Sequence, residues 1–149
     1  MQFSDIIRKL SAVFGFEPDH EGDSCQFVIG EIPVLLEEAG DKMLLVADLG
    51  DTELPEDKVF AMFLSANYVY RETSGSSFAR DPETGHIMLQ RYDWMDRLDG
   101  EMLVNYLERF ADVALKWRDI LAGGVPGEES GSEAAPMDRS FMENLNLMA

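Results

Sequence analysis

The fold is decided by residues 54–91, which read LPEDKVFAMFLSANYVYRETSGSSFARDPETGHIMLQR. The opening LPED is typical of a helix start, because proline is tolerated in the first turn and acidic side chains favour the positive end of the helix dipole. One apolar face recurs at helical spacing and consists of Val59, Met62, Phe63, Ala66 and Tyr70. A second apolar stripe consists of Phe60, Leu64 and Tyr68. A surface helix needs only one buried stripe, so two stripes predict that this helix is covered from both sides.

A tight hairpin follows this helix. The polar residues 71–77 interrupt the helical pattern, and strands are predicted at 78–80 and 86–91. The turn DPETG at 81–85 connects them: aspartate opens it, proline presets φ, and glycine accepts a positive φ at the exit. The stretch therefore predicts a helix, a strand, a turn and a strand in that order.

The residues before this stretch predict one helix and three strands. The helix ends at Gly15, and its apolar side is formed by Phe3, Ile6, Ile7, Leu10, Val13 and Phe14. Residues 18–23 are predicted as a polar loop. Strands are predicted at 25–29, 32–37 and 42–48. The short connections between them indicate an antiparallel meander.

These strands are apolar on more than one face. In the second strand Ile32, Val34 and Leu36 alternate with Pro33 and Leu35, and in the third Met43, Leu45 and Ala47 alternate with Leu44 and Val46. An antiparallel sheet with one face in water should instead alternate apolar with polar residues. Either helices cover one face and the other carries incidental hydrophobic residues, or the second face binds a partner.

The last predicted element is a long helix that Asp99 and Gly100 can cap and that Gly123 and Gly124 end. Its buried stripe consists of Met102, Leu103, Tyr106, Leu107, Phe110, Val113, Ala114, Trp117, Ile120 and Leu121. The predicted order is thus α-β-β-β-α-β-β-α, an α+β domain with an antiparallel sheet packed against helices over residues 1–122.

The residues after this domain fall into two parts. Residues 123–136 are rich in Gly, Glu, Ser, Ala and Pro and predict a flexible linker. Residues 137–149 form an apolar tail containing Met137, Phe141, Met142, Leu145, Leu147 and Met148. The tail is either disordered or a short docking helix that folds onto this protein or a partner.

The composition restricts the class of partner. The 149 residues contain 29 acidic and 12 basic side chains, a net charge of −17. This charge argues against nucleic acid and anionic membranes, which need clustered Lys and Arg. It suits basic or amphipathic protein partners, or simply solubility. We find no signal peptide and no membrane span, and the single cysteine allows no internal disulfide, so we expect a cytoplasmic protein.

The sequence shows no pattern of catalytic or metal-binding residues. His20 and His86 are the only histidines, and His20 and Cys25 lack the spacing and second ligands of a zinc site. The serines at 74–77 do not form a Gly-x-Ser-x-Gly motif, and no glycine-rich phosphate loop is present. We therefore predict no metal, no cofactor and no enzymatic activity, and expect binding through apolar surface.

Several runs, in their order and spacing, resemble the type III secretion chaperones of the Tir-chaperone (CesT) type. The runs are IPVLLE at 32–37, LG at 49–50, ELP at 53–55, LSANY at 64–68, Gly75, Phe78, DPETG at 81–85 and MLQR at 88–91. The long helix at 99–121 is similar to the last element of that family. The resemblance covers residues 1–122 and excludes the tail.

The resemblance implies a cytoplasmic bacterial homodimer that binds the N-terminal region of a secreted effector and keeps it soluble and export-competent, without catalysis. The strands and first helix would then form grooves for the effector, and the residues expected there are Ile7, Leu10, Phe14, Phe16, Val34, Leu36, Leu45, Ile87 and Leu89. The second stripe of Phe60, Leu64 and Tyr68 would suit a two-fold interface. The alternative is an adaptor or immunity-type protein of similar fold that binds a folded partner.

Overall fold

A computed structural model describes residues 2–17 and 19–123, apart from the side chains of 19–21. Within them the α-helices are α1 (Phe3–Phe14), α2 (Glu56–Asn67) and α3 (Gly100–Leu121). The strands are β1 (Asp19–Glu21), β2 (Ser24–Ile29), β3 (Ile32–Ala39), β4 (Lys42–Asp48), β5 (Ser77–Arg80) and β6 (Ile87–Trp94). Short 3₁₀ turns lie at Tyr68–Tyr70 and Met95–Arg97. The predicted linker beyond Gly123 and the tail at 137–149 lie outside the described residues.

The six strands form one antiparallel sheet in the order β1-β2-β3-β4-β6-β5. The predicted order of helices and strands is confirmed, with one addition. Strand β1 lies in the segment predicted as a loop and pairs with β2 through a two-residue turn, where Gly22 has a φ of +61°. Three residues are too short a run to show strand alternation, so no sequence pattern identified it.

The core lies between one face of the sheet and the helices. Alternate residues of β2, β3, β4, β5 and β6 join the apolar sides of α1, α2 and α3 in a single cluster of buried side chains. Helix α3 begins at the predicted cap, where the Asp99 carboxylate accepts a hydrogen bond from the Met102 N–H at 3.3 Å. Each fully buried aliphatic side chain contributes about 1.5–3 kcal/mol to folding, so this face carries most of the stability.

An aromatic cluster joins α2 to the hairpin and to α3. The ring of Phe63 stacks on Phe78 at 4.3 Å between centroids, and Trp117 meets Phe78 edge-on at 4.8 Å. The indole N–H of Trp117 donates to the Glu72 carbonyl at 3.3 Å. The cluster fixes which side of α2 faces inward, and leaves the other side at the surface.

The end of α2 differs from the prediction. The helix stops at Asn67, and Val69 and Tyr70 have φ values of +51° and +54°. Tyr70 therefore leaves the buried stripe predicted for it and is 50% exposed. The side-chain oxygen of Asn67 accepts a hydrogen bond from the Phe78 N–H at 2.8 Å, which ties the helix end to β5.

Candidate protein-binding surfaces

The outer face of the sheet is apolar although the described helices pack on the other face. Its outward side chains alternate with core residues along each strand. They include Val28, Pro33, Leu35, Leu44, Val46, Met88, Tyr92 and Trp94. Val28 is 59% exposed and Tyr92 is 55% exposed. Contiguous exposed apolar surface of this kind is typical of a binding site.

A groove of about 360 Å³ runs across this face. It is lined by Gln26, Phe27, Val28, Pro33, Val34, Leu35, Val46, Asp48 and Met88. The register explains the groove: Leu35 lies opposite both Gln26 on β2 and Val46 on β4, so three neighbouring strands present side chains in one row. The groove is therefore built from rigid sheet and offers apolar contacts with few polar ones.

An aspartate–histidine pair marks one end of the groove. The Nδ1 atom of His86 lies 3.1 Å from both carboxylate oxygens of Asp48, which also accepts a hydrogen bond from the Gly50 N–H at 2.8 Å. The hydrogen bond to Asp48 raises the pKa of His86, and the negative charges of Asp48, Asp51 and Asp81 add to the effect. The histidine thus holds its positive charge to higher pH than a free imidazole.

Aromatic and basic side chains mark the opposite end of the same face. Trp94 lies opposite Lys42 in the β4–β6 register, and the ammonium group of Lys42 lies 4.5 Å from the centre of the indole. The guanidinium of Arg97 lies 6.0 Å from the same ring. Tyr92 lies opposite Leu44, one step nearer the groove. The outer face therefore has an acidic end and a basic aromatic end.

The second apolar surface is the outer stripe of α2. Its predicted members are exposed, with Phe60 at 42%, Leu64 at 70% and Tyr68 at 76%. Val69 and Tyr70 extend this stripe beyond the end of the helix. Their left-handed backbone costs of order 1–3 kcal/mol per residue, and the N–H of Gly75 supports it by donating to the Tyr70 carbonyl at 3.2 Å. A two-fold contact through this stripe stays a prediction.

Two kinds of site are not found in the described part of the chain. No group of three His, Cys, Asp or Glu residues within 2–17 and 19–123 could hold a metal ion. Over the same residues, no helix combines the length and the apolar character needed to cross a bilayer.

A family model places the chain among known proteins. The model of the Tir chaperone protein (CesT) family matches residues 5–118, which run from the first turn of α1 to the last turn of α3. The chain belongs to the CesT family. The resemblance to type III secretion chaperones is therefore confirmed. A comparison with curated proteins gives no match.

Solved structures with the same fold support this assignment. A chain of the ExsC–ExsE complex has a TM-score of 0.66 and 22% identity, over 80% of this chain and 96% of that chain. A chain of the HopA1–SchA chaperone–effector complex has a TM-score of 0.62 and 16% identity, over 82% and 94%. The Yersinia pestis type III secretion chaperone SycH, in complex with a fragment of YscM2, gives 0.61 and 15%, over 77% and 98%. At these identities the likeness shows the fold.

Most of the effector-site residues expected for this CesT-family chain are buried in the structure. Seven of them belong to the buried core: Ile7, Leu10, Val34, Leu36, Leu45, Ile87 and Leu89. Val34 also lines the groove on the outer face, whereas the other six face the helix-covered side of the sheet or lie on the buried side of α1. Their contact with a client stays a prediction. Phe14 and Phe16 are partly exposed, and Phe16 stacks on Phe27 at 4.5 Å between centroids.

The accessible residues of the CesT-family sheet lie one position along the chain from the strand residues that were expected to bind the effector. Leu35 and Val46 face outward, one position along the chain from Leu36 and Leu45. The signal for them was present, because both strands are apolar in both alternating sets. The charges of the outward set stand only at the strand ends, at Glu37, Lys42 and Asp48, so alternation in the middle of the strands did not reveal which set the helices cover.

Proposed function

We propose that the protein is a cytoplasmic, non-catalytic type III secretion chaperone that binds the N-terminal region of an effector on the outer face of its sheet. The observation that carries this proposal is the apolar groove between β2, β3, β4 and β6 in a chain of the CesT family. The HopA1–SchA structure, a chaperone–effector complex with the same fold, supports the assignment of an effector as partner.

The shape of the groove favours an extended segment over a folded surface. Its walls are strand side chains that repeat at about 7 Å along each strand, which is the spacing of same-side residues in an extended peptide. Leu35 and Val46 offer apolar contacts at its centre, where alternate side chains of a client would pack. An effector region held in this way stays unfolded and its apolar side chains stay out of water, which keeps it soluble for export.

Charge favours a basic client. The protein has a net charge of −17, so it attracts a segment rich in Lys and Arg and speeds the encounter. Asp48, at the end of the groove, is an acidic residue among those that line it. Apolar contacts would then provide the affinity, and the acidic surface would provide the selection among clients.

The outer stripe of α2 is proposed as the homodimer contact. Phe60, Leu64 and Tyr68 are too exposed for a helix that functions alone, and an isologous interface would bury the same stripe on both copies. This contact leaves the groove free, because α2 packs against β5 whereas the groove lies on β2, β3, β4 and β6. We also propose residues 1–122 as the folding unit and 123–136 as its linker.

The experiment that tests the proposed site is capture of the client by groove variants. Full-length protein with Val46→Asp or Val28→Asp is used as bait in a lysate of the native bacterium, beside the wild type and Met102→Asp. Met102 is 54% exposed and lies on α3, behind the sheet. We expect the groove variants to lose the partner that the wild type and Met102→Asp both retain.

Limited proteolysis of the captured complex then identifies the kind of partner. A protected, non-globular segment near the partner's N-terminus supports the proposed function. Protection of a folded domain instead would indicate an adaptor or immunity-type protein. Val28→Asp guards against misfolding of the other variant, because Val28 is 59% exposed and a charge there stays in water. Equal capture by all four baits would contradict the groove as the binding site.

A further inference from the structure

The described chain ends close to the acidic end of the groove. Asp48 lines the groove, and four residues later the hydroxyl of Thr52 donates to the carbonyl of Leu121 at 2.7 Å. Four residues span at most roughly 15 Å, so the last turn of α3 lies within that distance, plus one hydrogen bond, of the groove.

The β2–β3 turn lies against the same part of α3. The guanidinium of Arg118 is 3.4 Å from the carboxylate of Glu31, and a Cβ on Gly30 would lie 3.8 Å from a side-chain carbon of Leu115. Val28 and Pro33, which line the groove, form the second residue pair from this turn. Residue 123 thus leaves the domain at the end of the sheet where the groove opens.

The chain beyond residue 123 is long enough to return to the groove. Thirteen residues separate it from Met137, and such a stretch has a root-mean-square span of about 20 Å as a Gly/Ser-rich coil and about 43 Å when extended. Both lengths exceed the distance that the Thr52–Leu121 contact imposes. Reach therefore does not prevent residues 137–149 from contacting the outer face of their own sheet.

The chemistry of residues 137–149 matches the groove. Six of these thirteen residues are large and apolar: Met137, Phe141, Met142, Leu145, Leu147 and Met148. The charged side chains are Asp138, Arg139 and Glu143, a net charge of −1. The segment is therefore repelled only weakly by the acidic domain, and it has apolar side chains for the surface formed by Val28, Leu35, Val46 and Met88.

We propose that residues 137–149 dock in cis into the groove on the outer face of the sheet and occupy it until a client displaces them. The proposal rests on the proposed function in taking this groove as the client site. The tether gives the segment a local concentration in the millimolar range, so weak apolar contacts suffice to fill the groove. A basic client, attracted by the acidic domain, displaces a segment that lacks this attraction.

A concave groove suits this short segment better than the outer stripe of α2. The groove is lined by side chains of four neighbouring strands, β2, β3, β4 and β6, whereas Phe60, Leu64 and Tyr68 project from one convex helix. Contact with a concave apolar surface removes more area from water for each docked residue. The α2 stripe and a second copy of the chain are the competing locations that the test separates.

The test is paramagnetic broadening in the full-length protein without any client. Ser140→Cys receives a nitroxide label, while the native Cys25, which is 1% exposed, stays in place. Wild-type protein treated with the same reagent shows whether Cys25 reacts. We expect the methyl signals of Val28, Leu35 and Val46 to lose most of their intensity, and those of Leu64 and Met102 to keep theirs.

Matched variants test whether the broadening depends on the apolar side chains of residues 137–149. Phe141→Ser combined with Leu145→Ser should restore the groove signals, whereas Asn144→Ser combined with Asn146→Ser should not. Broadening of Leu64 alone, or no broadening at all, would overturn the proposal. So would equal broadening when the label and the observed methyl groups are on different molecules, because the occupant would then belong to a second copy.

Client binding gives an independent measurement once the client segment is identified. If the groove is open in about a tenth of the molecules, the Phe141→Ser, Leu145→Ser variant should bind the client about tenfold more tightly than the wild type. The broadening experiment uses no client, so it can succeed when the proposed function fails. Loss of client capture in Val46→Asp tests the function without reference to the tail.

Discussion

Both faces of the sheet carry large apolar side chains in the middle of the strands, in opposite environments. Leu36 and Leu45 are fully buried against the helices, whereas Leu35 and Leu44, one residue away, lie on the outer face and are partly exposed. Helix α2 repeats the arrangement, because Phe63 is 7% exposed and Leu64 is 70% exposed. Apolar residues on the covered side stabilise the fold, and those on the open side are available to a partner.

The comparison shows why apolar character alone does not identify a binding site. In an ordinary antiparallel sheet the face open to solvent carries polar side chains, and the covered face carries apolar ones. Here the open face is apolar, at a cost in solubility that the net charge of −17 offsets. A sheet of this kind is expected where the open face is covered during function.

Adjacent leucines provide the sharpest test of this difference. We expect Leu45→Ala to lower the free energy of unfolding by about 2–5 kcal/mol, since it leaves a cavity in the core. Leu44→Ala removes the same atoms from the open face and should cost about 1 kcal/mol or less. Urea denaturation of both variants measures the difference. Similar costs would mean that the two faces are equally buried in solution, as in an assembly that covers the outer face.

Much of this fold could be predicted because its signals are local. The helix boundaries at Gly15 and Asp99 and the DPETG turn depend on backbone preferences of a few residues, which the sequence displays directly. The pairing of β4 with β6 depends on long-range packing, and β6 accordingly runs to Trp94, three residues beyond its predicted end. Local chemistry determined the elements, and tertiary packing determined their lengths.

The candidate site was harder to predict than the fold. The choice of Val34 and Leu36 over Leu35 depended on which face the helices cover, and both sets are apolar. A shift of one residue moves a whole set to the other face, so the residues expected on these strands are buried together. On α2 the two stripes were separated correctly as far as the helix runs, with Phe63 buried against Phe78 and Leu64 exposed, whereas Tyr70 beyond the helix end is exposed and not buried as expected.

A charge on the outer stripe of α2 tests whether the exposed side of this helix is available to a partner. We expect Leu64→Asp to raise the dissociation constant of the proposed homodimer by about 100-fold or more, since a charge would be buried without a partner. Met102→Asp, at a residue that is also more than half exposed, is the matched control. Light scattering over a concentration series measures the mass. An unchanged dimer mass for Leu64→Asp would exclude the stripe as the interface.

The smallest expected effect concerns the Asp48–His86 pair at the acidic end of the outer face. The pair with Asp48 raises the pKa of His86, so its contribution to stability is fully present below the unfolded pKa of 6.5 and is lost as pH rises through the higher folded value. Urea midpoints of wild type and His86→Gln should therefore differ more at about pH 5.5 than at about pH 9, with the difference reduced by salt because the pair is partly exposed. A difference between the two proteins that does not change with pH would mean that His86 acts by packing alone. A difference that grows with pH would require the neutral ring to be the favoured partner of Asp48, contrary to the attraction between an imidazolium and a carboxylate.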